Sequence, residues 1–126
     1  MDLPPYAALI GATLEAGGDE PILLMPFGEA VLGRPGFLHG GAIAGLMEMA
    51  AVAALARALD ADGGGRIKPI TVTVDYMRGG RDHDTRALGR VTRLGNRAAN
   101  VEAVAWQEDR ARPIAAARMN YLIVRD

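Results

Sequence analysis

Glu48 is the residue best suited to chemistry, because it is a carboxylate inside an apolar stretch, residues 40–59. Burial among apolar side chains raises the pKa of a carboxyl group, which suits a general base or a nucleophile. On a helix, Gly41 and Gly45 would share the face of Glu48 and leave room for a ligand or a partner backbone. The alternative is a structural glutamate that pairs with an arginine or lies on an exposed stripe.

The second feature is the sequence His39-Gly40-Gly41 at the start of the same stretch. The first amides of a helix have no acceptor within it, and the positive end of the helix dipole lies there. Glycine also lets a substrate carbonyl approach the backbone closely, so this terminus could hold a developing oxyanion. An ordinary glycine-rich helix entry has the same sequence, and the motif alone does not separate the two.

Gly40 and Glu48 together set a geometric condition. They are eight residues apart, which is about 12 Å along a helix. A reacting carbon has to sit about 3 Å from both the oxyanion donor and the nucleophile or its water. One helix cannot satisfy both distances. If the two groups act together, they therefore come from two chains that meet across a two-fold interface.

The composition excludes several kinds of enzyme. The 126 residues include no cysteine and no serine, so a Ser or Cys nucleophile and a zinc site built on cysteine are excluded. His83 lies between Asp82 and Asp84, which indicates a solvated turn, and we expect neither a metal site nor a cofactor. A net charge of −1 gives no general attraction for nucleic acid, and we expect no such partner.

The surrounding sequence predicts the elements that position these residues. Asp2 and the prolines after it mark the start of a short first helix, which Gly17-Gly18 ends. Residues 22–32 are typical of one strand or two short ones, interrupted by Pro26 and Gly28. The long helix over 40–59 ends in a segment rich in glycine. Four strands joined by short turns follow, at 67–78, 85–94, 97–107 and 113–124.

The apolar stretch 40–59 is about as long as a membrane-spanning helix. Glu48 near its middle and Arg57 near its end favour instead a buried helix of a soluble protein. Such a helix must be wrapped by the sheet and covered further, and we expect a second copy of the chain to cover it. The N-terminus is acidic and contains prolines, unlike an export signal, so we expect a cytoplasmic protein without a membrane partner.

The spacing from His39-Gly40-Gly41 to Glu48 resembles the signature of hotdog-fold acyl-CoA thioesterases of the phenylacetate-degradation (PaaI) type. Residues 70–79 are similar to that family's strand ending in an aromatic, a hydrophobe and Arg-Pro, and residues 101–123 to its closing hairpin. The resemblance covers most of the chain. It implies an α+β hotdog fold over residues 1–126, with an antiparallel sheet wrapped around a long central helix, preceded by a short N-terminal helix. It also implies an obligate homodimer that assembles into a tetramer.

The resemblance implies two catalytic roles. Gly40 would donate its N–H to the thioester carbonyl, while Glu48 of the partner subunit activates water or attacks the carbonyl. His39 and Gly41 would shape the helix entry beside the substrate, with His39 orienting the loop. Gly45 is a further candidate substrate-binding residue because it shares the face of Glu48. Coenzyme A is then the leaving group of an acyl-CoA substrate and not a cofactor.

Other positions extend or depart from the family pattern. Arg78 and Arg97 are candidates to bind the phosphates of coenzyme A. Thr71 or Thr73 is the candidate replacement for a small hydroxyl residue that relatives often carry on the strand after the helix. Relatives often have an asparagine where this chain has Gly33, and Arg-Pro where it has Arg78-Gly79.

The first interpretation is therefore the hydrolysis of an acyl-CoA thioester to a free acid and coenzyme A. Gly33 and the missing hydroxyl keep open a second one, a hotdog protein that binds acyl-CoA or another acyl ligand without catalysis. A hotdog dehydratase or hydratase comes third, because the pairing of a histidine with an acid at the helix entry that those enzymes use is not visible here.

Overall fold

A computed structural model describes residues 3–125. It contains the helices α1 (Pro5–Leu9) and α2 (Gly40–Ala61) and a 3-10 turn (Glu29–Val31). The strands are β1 (Thr13–Leu14), β2 (Leu23–Met25), β3 (Arg66–Tyr76), β4 (Thr85–Leu94), β5 (Ala98–Trp106) and β6 (Ala115–Val124). They pair antiparallel in one sheet of order β1-β2-β4-β5-β6-β3. This confirms the predicted hotdog architecture of an antiparallel sheet around one long helix.

Small side chains allow the sheet to lie directly on α2. Alanine is the best helix former, and it also dominates the inner face of the sheet. Buried alanines on that face are Ala103, Ala105, Ala115 and Ala117. The closest approach is on β4, where a β-carbon at Gly89 would lie 2.6 Å from the carbonyl oxygen of Ala50. The backbones of helix and sheet are therefore in contact.

Helix α2 ends at Ala61, two residues beyond the predicted end at residue 59 and within the segment predicted to terminate it. Gly63 and Gly64 adopt positive φ angles of 93° and 81°, which glycine reaches without strain. The Gly64 N–H donates to the Leu59 carbonyl, satisfying one of the free carbonyls of the last turn. Helix α2 is long and apolar enough to cross a membrane, but the core helix of a soluble protein can have the same length and composition. In this protein, 61% of the apolar 18-residue stretch of α2 is buried.

The N-terminal part differs from the prediction. Helix α1 ends at Leu9 and not at Gly17-Gly18, because Gly11 takes a left-handed φ of 72° that breaks it. Residues 13–14 then pair with β2 as a short strand. The predicted cap, Asp2, lies outside the described residues. Of residues 22–32, only Leu23–Met25 joins the sheet, and the part after Pro26 and Gly28 forms the 3-10 turn instead of a second strand.

Strand β3 forms one edge of the sheet. Only β6 pairs with it among the described residues, so its other side presents free backbone N–H and C=O groups. Ile70 and Val72 on this strand are 61% and 40% exposed. The edge is eleven residues long and apolar along much of its length.

Candidate active site

The start of α2 has one free amide. His39 is its N-cap residue, and the Nδ1 atom of His39 accepts a hydrogen bond of 2.9 Å from the Gly41 N–H. The amides of Ala42 and Ile43 both donate to the His39 carbonyl. Of the four amides in this first turn, only the Gly40 N–H has no acceptor within residues 3–125. His39 therefore orients the helix entry, and Gly40 is the donor left for a ligand.

Tyr76 holds the next peptide in place. Its hydroxyl donates a 2.8 Å hydrogen bond to the carbonyl oxygen of Gly40. That carbonyl belongs to the same planar peptide as the Gly41 N–H, which is bonded to His39. Tyr76 and His39 thus fix both ends of one peptide unit directly after the free amide. The sequence interpretation missed this role, although Tyr76 is the aromatic residue that ends the strand in the family pattern.

Glu48 is half-buried on α2. No hydrogen bond or ion pair within the described part of the chain involves its carboxylate, so the alternative of a structural Glu–Arg pair is not what the protomer contains. Its negative charge does reach Tyr121 on β6: burial first, and the Glu48 charge second, raise the pKa of the Tyr121 hydroxyl above its ordinary range. Within residues 3–125, Glu48 is thus a carboxylate without a structural partner.

The room expected beside Glu48 is occupied. Tyr6 of α1 lies over Gly45, so closely that a β-carbon at Gly45 would be 2.6 Å from its ring. Gly45 therefore serves contact with Tyr6, within the same protomer. Nothing in the local sequence signals this contact, since the two residues belong to different helices.

Gly33 lies in close contact with the backbone of His39. A β-carbon at this position would lie 3.1 Å from the α-carbon of His39. The Gly33 N–H also donates to the Phe37 carbonyl, and Leu32 and Leu38 form a β-bridge on either side of this tight loop. The loop before α2 is therefore folded closely against the His39 backbone.

Thr71 and Thr73 lie away from the helix start. Cross-strand partners share a face of a sheet, and these threonines pair with Asn120 and Arg118 on the exposed face of β6. A bulge between Pro69 and Thr71 sets this register. Within one protomer, neither hydroxyl is brought to Gly40 or Glu48.

The two predicted arginines lie at opposite ends of the molecule. Arg78 follows Tyr76 and lines a cavity of about 250 Å³ together with Arg81 and Arg112, on the side of the Gly40 end of α2. Arg97 lies beside the other end of the helix, where its carbonyl accepts from Ile123 and its neighbours bind Arg125. The structure brings Arg78 towards the site but does not bring Arg97 to it within one protomer.

No group of three His, Asp or Glu side chains within residues 3–125 is placed to hold a metal ion. His83 instead lies 3.3 Å from the carboxylate of Glu108, with both side chains largely exposed.

Residues 35–114 match the family model of the Thioesterase superfamily. A protein from Chromobacterium violaceum is 33% identical, with a TM-score of 0.75 over 95% of this chain and 83% of its own. A thioesterase from Pseudomonas aeruginosa is 26% identical, with a TM-score of 0.78 over 94% and 85%. A Bacillus halodurans protein solved with CoA is 20% identical, with a TM-score of 0.72 over 81% and 70%. No curated protein sequence matches the chain.

Proposed function

This chain belongs to the thioesterase superfamily, a family of thioester hydrolases, and from that premise we propose that it hydrolyses acyl-CoA at sites shared by two protomers. The observation that carries the proposal is the Gly40 N–H, the one amide of the first turn of α2 without an acceptor in the described chain. A donor fixed in this way stabilises the charge that develops on a thioester carbonyl oxygen under attack.

The chemistry needs only groups that the chain offers. Glu48 of the partner subunit takes a proton from water as the water oxygen bonds to the carbonyl carbon, or attacks that carbon itself before water releases the acid. The C–S bond then breaks, and the sulfur leaves as a thiolate that takes up the proton. Because a thiolate is a good leaving group, no strong general acid is required. The absence of serine and cysteine makes a carboxylate the natural choice.

Coenzyme A as the carrier is supported by two observations. The related Bacillus halodurans protein was solved with CoA. In this chain, Arg78, Arg81 and Arg112 line one cavity on the side of the helix start and outnumber the two carboxylates, Glu108 and Asp109, that line it as well. Arginine is well suited to phosphate.

The exposed edge of β3 supports the dimer. Two copies related by a two-fold axis would pair their β3 strands antiparallel, which satisfies the free backbone groups and covers Ile70 and Val72. The pairing would continue the sheet from one protomer into the next. A further association into tetramers is part of the same proposal. Light scattering of the purified protein tests both.

The first experiment follows thiol release from a panel of acyl-CoAs. Glu48→Gln keeps the shape of the side chain and should abolish release. Gly40→Pro deletes the amide donor while keeping the helix start, because proline fits the first position of a helix and His39 already has the extended backbone that precedes it well. Gly40→Ala keeps the donor and is the matched control. Loss of one oxyanion donor should lower kcat by about 10²–10³-fold. Equal rates for Gly40→Pro and Gly40→Ala would contradict the role of this amide.

A second experiment tests whether the site is shared. Gly40→Pro and Glu48→Gln chains are mixed, unfolded and refolded together. If the two groups act across the interface, each mixed dimer has one intact site, and about a quarter of the wild-type activity returns. If both groups act within one protomer, every site keeps a defect and no activity returns.

One observation supports the alternative of a protein that binds acyl-CoA without hydrolysing it: Gly33 offers no polar side chain at the position where relatives often have asparagine. Tight binding of acyl-CoA with no thiol release from any member of the panel would establish that alternative.

A further inference from the structure

A second cavity, of about 310 Å³, opens beside the start of α2. Its walls come from α1, from the segment before α2 and from the first turn of α2. The residues that line it are Tyr6, Leu9, Ile10, Ala30, Leu32, His39, Gly41 and Ala42. This cavity is separate from the arginine-lined one, since the two have no residue in common.

The walls of this cavity are apolar. Among the described residues that line it, no Asp, Glu, Lys or Arg is present, and the one imidazole, His39, already uses its Nδ1 to accept from Gly41. Leu9 is 69% exposed, and Tyr6 and Leu32 are about 40% exposed. Three large apolar side chains around one concave space leave it suited to an apolar ligand.

The cavity adjoins the proposed oxyanion site through the two neighbours of Gly40. His39 and Gly41 line the cavity and also form the hydrogen bond that leaves the Gly40 amide free. Tyr6 lies over Gly45, one turn further along α2 towards Glu48. A thioester whose carbonyl oxygen meets the Gly40 N–H therefore has this cavity within reach of its acyl group.

We propose that this cavity holds the acyl group of the substrate and selects uncharged apolar acyl groups, with Tyr6 as the wall that limits their size. The proposal rests on the proposed function. A volume of about 310 Å³ is at the lower end of ligand pockets, which points to short and medium acyl groups. An acyl group ending in a carboxylate is disfavoured, because its charge would lie against apolar side chains with no Lys or Arg in the described lining to pair with it.

The test compares kcat/KM for butyryl-CoA, octanoyl-CoA and succinyl-CoA. The wild type should prefer butyryl-CoA to succinyl-CoA by at least about tenfold. Tyr6→Ala removes the wall and should raise the ratio of octanoyl-CoA to butyryl-CoA by about tenfold. Leu14→Ala is the matched control, because Leu14 is 37% exposed, compared with 40% for Tyr6, but lies outside this cavity. Its ratio should equal that of the wild type.

Leu9→Arg provides a gain of specificity that misfolding cannot imitate. It places a cation on an exposed position of the wall and should raise kcat/KM for succinyl-CoA relative to kcat/KM for butyryl-CoA. Two results would overturn the proposal. One is that Tyr6→Ala and Leu9→Arg have the same ratios of kcat/KM between substrates as the wild type. The other is that the wild type has equal kcat/KM for succinyl-CoA and butyryl-CoA.

The acyl-binding cavity can be tested even if the protein does not hydrolyse acyl-CoA. If the wild type releases thiol from no acyl-CoA, calorimetry with octanoyl-CoA and with CoA alone decides about the cavity. Tighter binding of octanoyl-CoA that is weakened by Tyr6→Ala, but not by Leu14→Ala, supports an acyl site. Equal affinities for the two ligands overturn it, as expected if a second copy of the chain fills this space.

Discussion

Replacing Gly89 by alanine tests the contact between sheet and helix. The new methyl carbon would lie 2.6 Å from the Ala50 carbonyl oxygen and 2.8 Å from the Ala51 α-carbon. Both are backbone atoms of α2 and cannot rotate away, so β4 and α2 must move apart by about 0.5–1 Å, which loses a quarter to a half of the local dispersion energy. We expect the free energy of unfolding to fall by about 2–3 kcal/mol, as for other overpacked cores.

Thermal and urea unfolding, followed by circular dichroism, measure this loss. For a chain of this size the midpoint temperature should fall by about 10 °C. Gly28→Ala is the matched control: its φ of −176° suits any residue, and a β-carbon there meets no atom within 4 Å. The control should stay within about 0.5 kcal/mol of the wild type. If Gly89→Ala is equally harmless, the helix and the sheet are not in backbone contact and the packing described above is wrong.

Three further predictions concern the site and its surroundings. Tyr76→Phe deletes the hydrogen bond to the Gly40 carbonyl and, at about 0.5–1.5 kcal/mol for such a bond, should lower kcat about two- to tenfold with KM nearly unchanged; an unaltered kcat would contradict the positioning role. His39→Ala removes the N-cap acceptor and should cost about 1 kcal/mol in urea unfolding, whereas His39→Asn restores an acceptor and should recover much of it; equal losses would contradict the cap. Burial and the Glu48 charge raise the pKa of Tyr121, so its contribution to stability is complete below about pH 10 and is lost at higher pH, as the unfolded chain ionises first. As the pH rises above about 10, the free energy of unfolding measured in urea should therefore fall more steeply for the wild type than for Tyr121→Phe. Parallel curves for the two proteins would refute this.

Features set by local sequence were predictable. The apolar stretch 40–59 and the glycines after it fix α2 within two residues of its observed end, because both signals act over one or two helical turns. The alternating strands after the helix were found for the same reason. The first helix was predicted too long, since Leu14 continues the helical spacing while the left-handed Gly11 interrupts it.

Contacts between distant parts of the chain were not predictable. Tyr6 over Gly45 and Tyr76 on Gly40 join residues more than thirty positions apart, and no local pattern encodes them. The faces of Thr71 and Thr73 depend on the bulge after Pro69, because one extra residue moves every later side chain of a strand to the other face. Gly40 and Glu48 could be singled out only because their chemistry is unusual for their positions.

The alanine-rich contact between α2 and the sheet affects how this protein can be probed. Alanine scanning, the usual way to find important side chains, makes no change at Ala50, Ala51, Ala103, Ala105, Ala115 and Ala117, which are all buried. A scan towards a larger residue such as valine would be informative at these positions. By the same reasoning, sequence drift in this chain should be most restricted where its side chains are smallest, since a surface that leaves no room can lose atoms more easily than it can gain them.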